Sequence, residues 1–165
     1  MPDQDNGDVR IFNVETSFQK LARRPGGVPR DSAVEKARAK VDELKPGFDD
    51  WLGKQINALV GIIDKAKDGN PASDWIDIAN QRSRQLRDVG TTMDFELLTF
   101  IADSLCDIFD AVEAGSELSM ESIACHVDAL VLIQQKPYRG LKPEQVPELT
   151  SGLRRVSEQV STSPG

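Results

Sequence analysis

His126 is the one histidine in the chain, and no other side chain has an unperturbed pKa that puts its proton in play near neutral pH. Imidazole nitrogen is also a competent covalent nucleophile, so any acid–base or group-transfer chemistry falls first to this residue. Its neighbours narrow what that chemistry can be. Cys125 and His126 are adjacent and would point about 100° apart on a helix. Cys106 lies on a different element, so three ligands with zinc spacing are not evident and no metal is expected. A single histidine cannot be matched to a recognisable serine or cysteine elbow, and no glycine loop of the P-loop or dinucleotide type is present. Neither a turnover enzyme nor a bound cofactor is expected. Asp49, Asp50, Asp74 and Asp94 fall near helix starts, where carboxylates are favourable without any catalytic role.

The element that must position His126 is a helix from Ser119 to Gln135. Met120, Ile123, Val127, Leu130 and Val131 recur along it at helical steps, and it stops before Pro137. With Ile123 at the origin of a helical projection, Val127 and Leu130 flank the buried direction and His126 falls about 60° to one side. The histidine is expected at the edge of the core stripe, half exposed.

The remaining elements read as helices too. Ser32 and Glu35 have the spacing of a capping box, opening a helix that runs to about Leu44 and is broken or kinked at Pro46-Gly47. Phe48 to Ile63 carries a second apolar stripe. Pro71 is placed as a first-turn proline of a third helix ending near Gly90, whose outer side carries Arg82, Arg84 and Arg87. Phe95 to Val112 has the widest apolar stripe, and Pro143 begins a last helix that frays after Ser161. No segment alternates as a strand does. The expected fold is an all-α antiparallel up-and-down bundle over residues 31–161, with a flexible N-terminal arm (1–30) and a frayed tail (162–165). Within the arm, Phe12, Val14, Phe18 and Leu21 form a short amphipathic piece.

At 165 residues the chain supports one core. With 27 acidic against 20 basic residues and a net charge of −7, it is a poor partner for nucleic acid or an anionic membrane. No apolar run approaches the roughly 20 residues of a membrane span, the N-terminus lacks signal-peptide features, and Cys106 and Cys125 suit buried free thiols. A cytoplasmic protein, monomeric or homodimeric, is the expectation.

The run Ile123-Ala124-Cys125-His126-Val127-Asp128-Ala129-Leu130, a lone histidine on a face of an acidic helical bundle, resembles the histidine-containing phosphotransfer domains of bacterial two-component phosphorelays. The resemblance implies that His126 accepts a phosphoryl group from the aspartate of a receiver domain and passes it on, with Ile123 and Val127 as the apolar patch around it. That family usually has lysine three residues after the histidine and glycine at four. Ala129 and Leu130 stand there, so Lys136, Arg139 or a neighbouring arginine would have to supply the positive charge. The alternative is a non-catalytic adaptor with an incidental histidine, docking a protein partner through Arg82, Arg84 and Arg87.

Overall fold

The computed structural model describes residues 25–27 and 29–162. The amphipathic piece around Phe12 to Leu21 and the last three residues lie outside them. Among these residues five helices follow in order: α1 (Arg30–Lys67), α2 (Trp75–Thr92), α3 (Glu96–Glu113), α4 (Met120–Ile133) and α5 (Pro147–Thr162). Two short 3-10 turns, Lys136–Tyr138 and Pro143–Gln145, join α4 to α5. Among the described residues there is no strand, and the fold is an all-α helical bundle.

The chain divides into two compact units, Met1–Ala39 and Lys40–Gly165. In the first, the described residues form a turn at Pro25-Gly26 and the opening of α1, in which only Ser32 is other than exposed. The helix begins two residues before Ser32, with the Ala33 amide donating to the Pro29 carbonyl, so Ser32 is inside the first turn and not its cap.

The second unit holds the core. α1 is continuous through Pro46, so the break that proline could have made there is absent. An interior proline removes one amide donor and leaves the carbonyl four residues earlier, that of Asp42, without its partner. Asp42 and Pro46 are both exposed, so water can serve that carbonyl. The apolar stripe proper begins at Phe48 and continues through Leu52, Ile56, Leu59 and Ile63. Trp51 stacks on Phe48 with ring centroids 6.1 Å apart.

Cross-helix contacts fix the directions. Asn80 donates to Asp110 at 2.9 Å and Arg87 meets Asp103 at 3.5 Å, so α2 and α3 run antiparallel. They approach tightly at Gly90, where a Cβ would lie 2.9 Å from the Thr99 backbone nitrogen. Asp49 on α1 pairs at 2.6 Å with Arg139, which follows the Lys136–Tyr138 turn, and Gly53 faces Gln134, so α1 packs beside the C-terminal end of α4. α3 and α5 are parallel: Phe100 lies under the Arg154 guanidinium, and Ser104 meets Ser157. α3 is the central helix, with Leu97, Leu98, Ile101 and Leu105 all fully buried.

Helix starts moved where several turn residues competed for them. α2 begins at Trp75, after a turn closed by the Trp75 amide donating to the Ala72 carbonyl, and Pro71 precedes that turn instead of opening the helix. α5 begins at Pro147, since Pro143 opens only a 3-10 turn. Ahead of α3, Asp94 takes a φ of 58°, a left-handed conformation that Asp tolerates better than most residues.

Candidate functional site

Ser119 caps α4 as its sequence suggests, its hydroxyl accepting from the Ser122 amide at 3.2 Å. One turn further along, His126 is 0 % exposed. The half-exposed position expected for it is wrong because a projection of α4 alone cannot include what covers it. Both α3 and α5 close over this side of α4, widening the buried sector to take in Ser122, His126 and Ala129.

The hydrogen bonds define the ring's state. Nδ1 lies 2.8 Å from the Ser122 carbonyl oxygen, which can only accept, so Nδ1 carries the proton and donates. Nε2 of the neutral ring is then an acceptor, and the Ser104 hydroxyl donates to it across 2.8 Å. Ser157 is 2.7 Å from the Ser104 oxygen and 3.0 Å from the Leu153 carbonyl. Three helices thus meet on one imidazole through hydroxyls. Burial pushes the His126 pKa below the ordinary histidine value, against a weaker opposing pull from the Ser122 carbonyl.

The Ser104–His126 distance is that of a nucleophile and its base. The surroundings do not support acyl transfer, however. Ser104 lies in the middle of α3, where the backbone amides are committed to the helix ladder and none is left to stabilise an oxyanion. A buried polar knot that ties α3, α4 and α5 in register is what the arrangement provides. Ser104 and Ser157 were missed in the sequence. Their signal was a serine within each apolar stripe: Ser104 beside Ile101 and Leu105, Ser157 beside Leu153 and Val156.

The other expected site residues are not brought together around the histidine. Ile123 and Val127 are 0 % and 4 % exposed, so they belong to the core and present no docking patch. The arginines of α2 are engaged within the fold: Arg82 donates to Gln55 on α1, Arg84 pairs with Asp110 at 2.6 Å, and Arg87 holds Asp88 and Asp103. Hydrogen bonds from Asn80 and then Arg84 hold the Asp110 carboxyl below its ordinary pKa. These arginines stitch α2 to its neighbours. Cys106 is buried, which raises its thiol to about 11, whereas Cys125 is exposed, contrary to the burial expected for both. Among the described residues no three His, Cys, Asp or Glu side chains are grouped to hold a metal ion, and no helix is long and apolar enough to cross a membrane.

Cys125 opens onto a groove between α4 and α5. Cys125 and Val156 line one end and Leu132 and Leu149 the other, so these helices are antiparallel. The central section has a volume of about 550 Å³. Its lining is mostly apolar, with Ala129, Leu132, Leu149, Gly152, Leu153 and Val156. Asp128 and Glu148 form the rim there, and the groove continues past Glu121 and Glu117. Along α4 it runs from Ser119 to Leu132, about 20 Å at ~1.5 Å per residue.

Comparison with protein-family models, with curated proteins and with solved structures finds no match to this chain.

Proposed function

We propose that this chain is a non-catalytic helical binding module that takes a protein partner along the α4–α5 groove, with its histidine serving the core. The observation that carries this reading is the groove itself. It offers an open apolar floor between two antiparallel helices, the kind of surface on which another helix packs. The phosphoacceptor role has no comparable support. In-line attack on a receiver's phosphoaspartate needs a free imidazole nitrogen at the surface, whereas Nε2 of His126 is enclosed and accepts from Ser104.

Cys125 provides a direct test, since it is an exposed thiol within the groove. A benzophenone attached there and photolysed in extracts of the producing cells should give a discrete protein adduct. Excess unlabelled chain should suppress it, and excess chain carrying Gly152→Leu, which fills the groove floor, should not. No adduct, or equal suppression by both competitors, contradicts the reading.

A further inference from the structure

The groove's chemistry says more than that a protein binds there, and this step rests on the protein-binding reading above. We propose that its occupant is a basic amphipathic helix of the partner, about four turns long, lying along the α4–α5 seam. Length and shape come first. A groove of about 20 Å along α4 matches roughly 13 residues of α-helix at ~1.5 Å per residue. Ala129 and Gly152 are the smallest residues lining its central section. A Cβ built on Gly152 meets nothing within 4 Å, so the floor is open there and admits a large apolar side chain from the occupant. Leu132 and Leu149 on one side, and Val156 on the other, then contact apolar residues placed one turn away in each direction. The occupant therefore carries apolar residues at three- and four-residue steps on a single face.

Charge selects the other face. Glu117, Glu121, Asp128 and Glu148 border the groove, and no lysine or arginine lines its three sections. An acidic helix or a phosphate-bearing ligand meets like charge along the whole length, while lysines or arginines flanking an apolar stripe meet carboxylates on both rims. The knot at His126 lies behind the groove and holds α4 and α5 at a fixed spacing, so the trough is formed before any partner arrives.

The test uses the full chain and two fluorescein-labelled helical peptides of 15 residues. Both have leucines on one face; one has lysines flanking them and the other glutamates. Fluorescence anisotropy should show the lysine peptide binding at least about tenfold more tightly, an advantage that shrinks with added salt. Charge reversal of the rim, Asp128→Lys with Glu148→Lys, should invert the preference; both positions are exposed, so the fold is retained. Gly152→Leu should abolish binding of either peptide while the circular dichroism spectrum stays helical. Bound lysine peptide should also slow maleimide labelling of Cys125.

Equal affinity for the two peptides, or lysine-peptide binding that survives Gly152→Leu, overturns the proposal. Failure of the lysine peptide while the Cys125 photo-adduct is still competed by wild type and not by Gly152→Leu refutes the basic-helix occupant alone. Loss of that adduct pattern as well refutes the protein-binding reading with it.

Discussion

Acidification from neutral pH should weaken this fold through His126, the chain's one imidazole. In the unfolded chain the imidazole protonates near its ordinary value of about 6.5. In the folded chain burial holds its pKa below that value, because an imidazolium would sit at 0 % exposure with hydroxyls and a carbonyl around it. The hydrogen bonds themselves do not forbid the charge. Nε2–H could donate to Ser104, Ser104 to Ser157, and Ser157 to the Leu153 carbonyl, reversing the chain of donors. What opposes protonation is desolvation. Between the folded and unfolded pKa values the unfolded state binds more protons, so stability is complete above about pH 6.5 and declines as pH falls, by at most about 1.4 kcal/mol per pH unit. Asp110, whose pKa is also lowered, contributes in the same direction but only in the carboxylate range. Urea titrations followed by helical circular dichroism at several pH values from 8 to 5 measure the slope. The His126→Gln variant removes the titrating ring while offering Ser104 a carbonyl oxygen. It should be less stable than wild type at pH 8, yet its midpoint should change much less between pH 7 and 5. Parallel profiles for the two proteins, or a wild type that gains stability on acidification in this window, would refute the reasoning.

Two glycines should respond oppositely to alanine. Gly90→Ala places a Cβ 2.7 Å from the Thr99 hydroxyl and 2.9 Å from its backbone nitrogen, so α2 and α3 must part at a cost of about 1–3 kcal/mol. Gly61→Ala enters open space on α1 and should stabilise by about 0.5–1 kcal/mol through helix propensity; urea midpoints check both. Titration with Ellman's reagent at pH 8 should consume one thiol quickly, that of Cys125, and release Cys106 only in denaturant, as a buried thiol with a pKa of about 11 requires. Incubation with acetyl-phosphate-charged receiver domains should leave no acid-labile, alkali-stable label on the folded chain. Such a label, lost in His126→Gln, would restore the phosphoacceptor role.

Much of the helical layout was legible because single residues decided it locally. The stripe of α3 and the Ser119 cap each follow from nearby chemistry. Pro46 misled because its cost is one solvent-facing carbonyl, too little to end a helix anchored by the core residues from Phe48 onward. The site was far less legible. Whether His126 is an edge or a core residue depends on α3 and α5 closing over α4, a tertiary fact with no signature in the period of α4 itself. For the same reason Cys125, one residue away, was expected inside and is exposed. The arginines of α2 looked like a docking strip because their partners, Gln55, Asp103 and Asp110, lie on neighbouring helices. The groove floor is divided between α4 and α5, so neither stripe alone outlines it.

The protonation state of His126 in the native protein bears most directly on the claim that the one histidine is a core residue. Long-range proton–nitrogen correlation spectra of histidine-labelled protein at pH 7.5 should show Nδ1 protonated and exchanging slowly, with Nε2 bare. The resonances should still be those of the neutral ring after the pH has passed below about 6.5. A ring protonated mainly at Nε2, in rapid exchange with water and titrating at the ordinary histidine value, would contradict it.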